Sequence, residues 1–301
     1  MRIHRYGDAS VIRLDDIPRP VPGPGEVLID VAATSFNPSD IGLRRGLLRS
    51  VFRIDLPYTL GGDVAGTVVE VGGGVHTLAA GDRVIGRLDG GGAAAEYVTA
   101  AADTLVAAPD AVPLAHAAAI PIAGLTAWQA VFEHAGVTSG QRVLVNGAGG
   151  GIGGFAVQLA KYAGAHVIAT AGPRSAETVL RFGADQIIDY TTTPLADALD
   201  EPVDVVLNLV VVGAETLVPL VRPGGVVVSV TVPVTTPAGS PVTAVHFVVR
   251  NDTSHLAALV KLVDAGAVHL DVSASRPLTD LASVHRDAES ARTRGKIILV
   301  P

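Results

Sequence analysis

From Val143 to Gly154 the chain reads Val-Leu-Val-Asn-Gly-Ala-Gly-Gly-Gly-Ile-Gly-Gly, a strand-forming run that passes through glycines into a helix. No other segment constrains the fold as strongly. Glycines crowd a strand–helix junction where the backbone must turn tightly and admit a close neighbour. Gly147, Gly150 and Gly153 have the spacing of a dinucleotide fingerprint: a tight turn, close approach to a pyrophosphate, and close helix–strand packing. Ala148, Gly149, Gly151 and Ile152 complete a loop whose N–H groups and helix dipole favour an anion. A P-loop is excluded, because no Gly-Lys-Ser/Thr follows the glycines. Taken alone, the same string would also suit a buried turn with no ligand.

The surrounding rhythm favours the ligand. Val/Ile/Leu-dense strands are expected at 142–145, 165–170, 186–189, 204–208 and 225–230. Helices are expected from the loop to about 163, then at 175–182 and 214–221. Such alternation calls for a doubly wound parallel sheet, a Rossmann arrangement, covered on both faces. NAD-binding chains end the second strand with an acid that holds the ribose hydroxyls. Here the strand ends Ala169-Thr170-Ala171-Gly172-Pro173-Arg174-Ser175, with no acid. Arg174 and Ser175 offer a cation and a hydroxyl to a 2′-phosphate, which predicts NADP(H). The plainer account of Arg174 is a solvated turn residue.

The first ~110 residues have another rhythm: strands at 25–31, 63–71, 82–86 and 95–98 with Gly and Pro between them, the pattern of a small β-barrel or sandwich. Helical stretches at 113–120 and 125–134 lead to the glycine loop. After it come a strand at 244–249, a helix at 252–264 that Asp252 would cap, and a closing strand at 296–300. That last strand is too isolated to stand alone and is expected to return to the N-terminal sheet. The expected domains are residues 1–112 with 265–301, and residues 113–264.

Composition removes several classes of function. With 22 Lys+Arg against 29 Asp+Glu, a net charge of −7 and no basic run of five, the chain lacks the footprint of a nucleic-acid or anionic-membrane binder. Zero cysteines exclude disulfides, thiol nucleophiles and Cys-ligated metals. The nine histidines show no ligand spacing, so no metal site is expected. His116 and His246, in apolar runs, read as core histidines. Uncharged stretches at 111–132, 143–160 and 223–249 are interrupted by Pro or Gly and read as buried segments rather than membrane spans. These features predict a soluble, cytoplasmic protein.

Further segments carry a resemblance over nearly the whole chain. They are Ser35-Phe36-Asn37-Pro38-Ser39-Asp40 with Arg44-Arg45-Gly46, Gly61-Gly62-Asp63-Val64-Ala65-Gly66-Thr67-Val68, and Gly81-Asp82-Arg83-Val84. Ala123-Gly124-Leu125-Thr126-Ala127-Trp128, Gln158-Leu159-Ala160-Lys161, and Phe182-Gly183-Ala184-Asp185 with Ile187-Ile188-Asp189-Tyr190 follow. Gly295-Lys296-Ile297-Ile298-Leu299 closes the set. In this order they resemble the zinc-independent medium-chain dehydrogenases/reductases of the quinone oxidoreductase group. The resemblance implies a GroES-like β-barrel catalytic domain with the Rossmann domain inserted into it, and the cofactor in the cleft between them. It also implies hydride transfer from NADPH to a quinone or an α,β-unsaturated carbonyl, a small-molecule substrate. Zinc-dependent relatives carry a Cys before Ser/Thr-Asp and a Gly-His-Glu, where this chain has Asn37-Pro38-Ser39-Asp40 and Gly61-Gly62-Asp63.

Three departures stand out. Gly149 replaces a usual Ala or Ser, which predicts a looser loop. The usual Asp-Thr-Val-Gly-Gly is here Asn208-Leu209-Val210-Val211-Val212-Gly213, facing the cofactor at a strand's end. Leu47-Leu48 replace aromatic residues, within the segment 47–58 that, with 232–242, shapes the substrate pocket.

By this match Asn37 meets the nicotinamide or the substrate carbonyl, Thr126 contacts the nicotinamide, and Tyr190 lies along the adenosine. Asn208, Leu209 and Phe247 complete the expected cofactor contacts. Competing structural readings are an Asx-turn for Asn37 and a helix hydroxyl bonding its own backbone for Thr126. Tyr58 is the proton donor by chemistry and a core-edge tyrosine otherwise. Asp40 reads as a helix cap or as the partner that orients Arg44.

Two functions follow: an NADPH-dependent quinone or enone reductase, or a non-enzymatic NADPH-binding or sensing protein on the same scaffold. The run 244–249 has no Pro, Lys or Glu to blunt an edge strand. It predicts a homodimer with one sheet continued across both cofactor domains.

Overall fold

The computed structural model describes residues 1–50 and 52–301; Val51, inside the expected pocket segment 47–58, lies outside them. Contacts divide the chain into two compact units. One holds residues 1–122, 251–264 and 272–301, and the other holds 123–250 and 265–271.

The first unit is built on the ten-residue strand Glu26–Ser35. It pairs antiparallel with Asp63–Val71, with Tyr97–Ala101 and, at its end, with Lys296–Val300, where Ile298 stands opposite Ser35. The ladder continues from Asp63–Val71 through Arg83–Arg87 to Leu105–Ala107. Alternation along these strands puts Val27, Ile29, Val31, Val64, Val68, Val84 and Leu105 into one core. The closing strand binds the end of the chain to its beginning.

The tail holds two elements that the sequence reading does not contain. A strand, Val272–Pro277, pairs parallel with Lys296–Val300, and a helix spans Leu281–Glu289. That helix buries Leu281, Val284 and His285 against a second core that includes Ile3, Phe36 and Leu299. His246 is exposed, contrary to its reading as a core histidine, whereas His285 is wholly buried.

The second unit carries a six-stranded parallel sheet. Its order is Gln186–Ile188, His166–Thr170, Arg142–Asn146, Val203–Asn208, Val221–Ser229 and Thr243–His246. Numbered along the chain, that order is 3-2-1-4-5-6, the dinucleotide-binding arrangement, with the switch point beside the strand that feeds the glycine loop.

Three expectations change. Residues 125–134 were expected to be one helix; an α-helix, Pro121–Trp128, instead passes into a π-helical turn, Gln129–His134. At the start of that turn the buried Gln129 donates its amide to Arg250 O at 2.9 Å and accepts from Arg250 N–H at 3.1 Å. The outer strand ends at His246 rather than 249. Just past its end Phe247 donates its N–H to Ser229 O at 3.4 Å and stacks its ring on His134, with ring centroids 4.1 Å apart. The helix Thr253–Asp264, capped by Asp252 as expected, groups with the first unit. There Asp264 accepts the N–H groups of Asp110 and Ala111 at 2.8 and 2.9 Å. Residues 265–271 group with the second unit, where Gln158 pairs with both backbone groups of His269. Among the described residues no helix is long and apolar enough to cross a membrane.

Candidate functional site

Gly147 turns the chain at φ +100°, a conformation that L side chains rarely adopt. A Cβ at Gly153 would lie 2.3 Å from Gly147 O and 2.6 Å from Ala148 Cα, so only glycine lets the helix Gly151–Tyr162 pack this close to the loop. Gly150 caps that helix without help from a side chain, and a Cβ there would meet only Gly147 O, at 3.5 Å. The space above Gly150 is therefore open to an incoming group. Within the loop, the N–H groups of Gly147, Ala148 and Gly150 are spent on Thr170 Oγ1, Thr170 O and Gly147 O. The first-turn N–H groups of Gly151, Ile152 and Gly153 have no intrahelical acceptor and carry the positive end of the helix dipole. A dinucleotide pyrophosphate fits this cradle.

The end of the neighbouring strand closes in on the loop. A Cβ at Gly149 would lie 2.3 Å from Ser175 Oγ and 2.7 Å from Ser175 Cβ. Gly149 therefore does not loosen the loop, as the sequence suggested; it makes room for the buried Ser175. Ser175 donates to Gly172 O at 3.3 Å, and Gly172 faces the hydroxyl of the exposed Tyr190. Arg174 is exposed on the same turn. Ser175, Tyr190 and the loop thus converge on the side where an adenosine would lie. On the other side, Leu209 donates its N–H to Asn146 O at 3.0 Å and packs with Val210 against Gly147. Asn208 is fully buried beneath them. Thr126 is buried in the Pro121–Trp128 helix, and Phe247 lies on the π-helical turn.

The first unit contains a buried polar cluster that sequence reasoning missed. Asn37 Nδ2 donates to Asp63 Oδ2 at 2.8 Å and Asn37 Oδ1 accepts from Lys296 Nζ at 2.8 Å. Lys296 also donates to Phe36 O at 3.2 Å and stands 3.5 Å from the Asp63 carboxylate. Ser35 donates to Asp63 Oδ2, and Asp63 Oδ1 accepts from the Ile122 N–H at 2.7 Å. Burial pulls the Lys296 ammonium below its usual range, while the charges of Asp63 and Asp40 oppose that shift. The one available signal was a lysine opening an otherwise apolar strand, Lys296–Val300.

Asp40 accepts the Asn37 N–H at 2.9 Å and caps the helix Pro38–Arg45. It does not orient Arg44, whose guanidinium reaches Glu289. Burial pushes the Asp40 carboxyl up to about 7. Tyr58 packs its hydroxyl over Gly91, and burial, then the nearby Asp40 charge, push it up to about 12. It therefore stays protonated throughout the neutral range.

Among the described residues no group of three or more His, Asp or Glu is placed to hold a metal ion. Residues 23–110 match the family model described as alcohol dehydrogenase GroES-like domain, and residues 182–299 match the one described as zinc-binding dehydrogenase. The chain is 43% identical over 203 residues to a chloroplast envelope quinone oxidoreductase homolog of Arabidopsis thaliana, covering 65% of this chain but 61% of that one. It thus spans less than two thirds of that relative's length. To 2-methylene-furan-3-one reductase of Solanum lycopersicum it is 35% identical over 310 residues, 98% of this chain and 77% of the other. Among solved structures, the Escherichia coli quinone oxidoreductase complexed with NADPH superposes with a TM-score of 0.90 at 27% identity, covering 100% of this chain and 99% of that one. With its GroES-like first unit and parallel-sheet second unit, this chain belongs to the medium-chain dehydrogenase/reductase family, in its quinone oxidoreductase group.

Proposed function

We propose that the chain is an NADPH-dependent reductase that reduces a quinone or an α,β-unsaturated carbonyl by hydride transfer without zinc. The observation that carries this reading is the open cradle above Gly150, beside a strand end that offers Ser175 and Arg174 where NAD-binding chains offer an acid. Two of the similar proteins are named as reductases of these substrate classes, and one was solved with NADPH. NADPH, when bound, supplies the hydride. The chain's own part is to bind, orient and protonate. The N–H groups of Gly151, Ile152 and Gly153 receive the pyrophosphate, and Arg174 with Ser175 receives the 2′-phosphate. Tyr190 lies along the adenosine, and Asn208, Leu209 and Phe247 flank the path toward the nicotinamide.

Asn37, Thr126 and Tyr58 are the proposed polar contacts at the reacting end. Hydride arriving at the β-carbon of an enone leaves negative charge on the carbonyl oxygen, which fixed hydrogen-bond donors stabilise. The Tyr58 hydroxyl, still protonated at neutral pH, can donate there. The absence of any cysteine supports zinc independence and fits a reducing compartment, for which we propose the cytoplasm. The two compact units correspond in this reading to a catalytic domain and an NADP(H) domain.

The test is loss of reduced-nicotinamide absorbance with a panel of quinones and enones, for NADPH and NADH, with and without a chelator. Turnover that prefers NADPH and survives chelation is expected. NADPH binding without turnover of any substrate would instead support a binding or sensing protein. We also propose a homodimer through the outer strand Thr243–His246, which among the described residues has a ladder partner on one side only. Val248, 55% exposed just beyond it, is the place for a charge. Val248→Asp should give monomers in sedimentation, and a wild-type chain already monomeric at micromolar concentration would reject the dimer.

A further inference from the structure

The last residues of four adjacent parallel strands are polar and buried: Thr170, Asn146, Asn208 and Ser229. Register places Asn208 opposite both Asn146 and Ser229, and Thr170 one step past the Ala169–Val145 pair. Their hydrogen bonds run in one direction across the sheet. Gly147 N–H donates to Thr170 Oγ1 at 2.8 Å, and Thr170 Oγ1 donates to Asn146 Oδ1 at 3.0 Å. Asn146 Nδ2 donates to Asn208 Oδ1 at 3.0 Å. Asn208 Nδ2 donates to Val210 O at 2.9 Å and to Ser229 Oγ at 3.3 Å. Ser229 Oγ donates to Val232 O at 2.7 Å.

We propose that Thr170, Asn146, Asn208 and Ser229 act as positioning residues, a single hydrogen-bonded rail that sets the glycine loop and the loops after Asn208 and Ser229 in the arrangement NADPH binding requires. The inference rests on the reading of the second unit as an NADPH site. The polarity of the rail is fixed. Val210 O can only accept, so Asn208 presents Nδ2 to it and Oδ1 to Asn146, and Asn146 in turn presents Oδ1 to the Thr170 hydroxyl, which donates. Turning Asn146 over would set oxygen against oxygen at the Asn146–Asn208 contact, and turning Asn208 over would set N–H against N–H there and oxygen against Val210 O. Each end is anchored in backbone: the turn-forming Gly147 at one end, Val210 and Val232 at the other. Breaking the chain at any point therefore leaves buried groups unpaired on both sides of the break. Asn208 matters here because its amide, unlike a carboxylate, donates to Val210 O and Ser229 while accepting from Asn146.

The test is NADPH affinity by fluorescence titration, with the melting midpoint measured without ligand. Thr170→Val keeps the shape and removes the hydroxyl; NADPH should bind about tenfold or more weakly. Thr170→Ser restores the hydroxyl and should bind within about twofold of wild type. Ser229→Ala, at the far end and away from the glycines, should also weaken NADPH binding several-fold. Combined with Thr170→Val it should add less than the product of the two separate losses, because both break one rail. If Thr170→Val fails to fold, Ser229→Ala alone decides. Variants that bind NADPH as wild type does, or losses that multiply independently, overturn the rail. A wild-type chain that does not bind NADPH overturns instead the reading beneath it.

Discussion

Gly149→Ala tests how tightly the glycine loop is fitted to its neighbour. The added methyl would lie 2.3 Å from Ser175 Oγ and 2.7 Å from Ser175 Cβ. Rotating the serine about χ1 moves Oγ away but leaves Cβ in place, so the clash is relieved only by moving backbone. Such overpacking typically costs about 1–3 kcal/mol. Taking about 2 kcal/mol, the melting midpoint should fall by roughly 4–8 °C. Ser175→Gly removes both clashing atoms and, at a helix N-cap, costs only a few tenths of a kcal/mol. The double variant Gly149→Ala/Ser175→Gly should therefore recover most of the lost stability. Its NADPH affinity should stay low, because Ser175 is also a proposed 2′-phosphate contact. Thermal melts of wild type, both single variants and the double variant complete the cycle. A Gly149→Ala melt matching wild type, or a double variant no better than Gly149→Ala, would refute the steric argument.

Three further outcomes are expected. Arg174→Ala should weaken NADPH binding about 10- to 150-fold, the worth of a charge-assisted contact, and leave NADH nearly untouched; equal losses for both cofactors in titration would remove the 2′-phosphate assignment. Lys296→Met leaves the Asp63 carboxylate buried without its ammonium, which should cost about 3–5 kcal/mol in urea unfolding, and a loss below about 1 kcal/mol would show the pair to be dispensable. Burial, then the nearby Arg44 charge, push His285 down to about 3, so the folded chain binds fewer protons than the unfolded chain between about pH 3 and 6.5. The His285 contribution to stability should rise with pH through that window and fall by about 2 kcal/mol from pH 7.5 to pH 5. The raised Asp40 carboxyl makes an opposite contribution, which a His285 variant and wild type share. His285→Leu should abolish that part of the loss, and parallel losses in variant and wild type would contradict it.

Local pattern made part of this molecule legible. The strand–loop–helix run at 143–154 and the apolar closing strand at 296–300 each announce themselves within a dozen residues, because period and glycine spacing are local properties. The polar cores are not local. Lys296 meets Asn37 across 259 positions, and Asn146 meets Asn208 across 62. No periodicity marks which buried polar residues will be partners. Gly149 shows the same limit: in sequence it reads as a loosened loop, and only Ser175, brought back by the next strand, explains the missing side chain. The outer strand stops three residues short of its apolar run, and the residues beyond it, Phe247 and Arg250, meet His134 and Gln129 of another element.

Direct hydride delivery is the centre of the account, and isotope transfer tests it most plainly. The wild-type chain is given NADPH deuterated on the transferring face of the nicotinamide and a simple enone, and the reduced product is examined by mass spectrometry and NMR. One deuterium per product molecule is expected, on the β-carbon, with the α-carbon proton drawn from an enzyme hydroxyl or solvent. Product formed without deuterium at the β-carbon, or no product from any enone or quinone although NADPH binds, would contradict it.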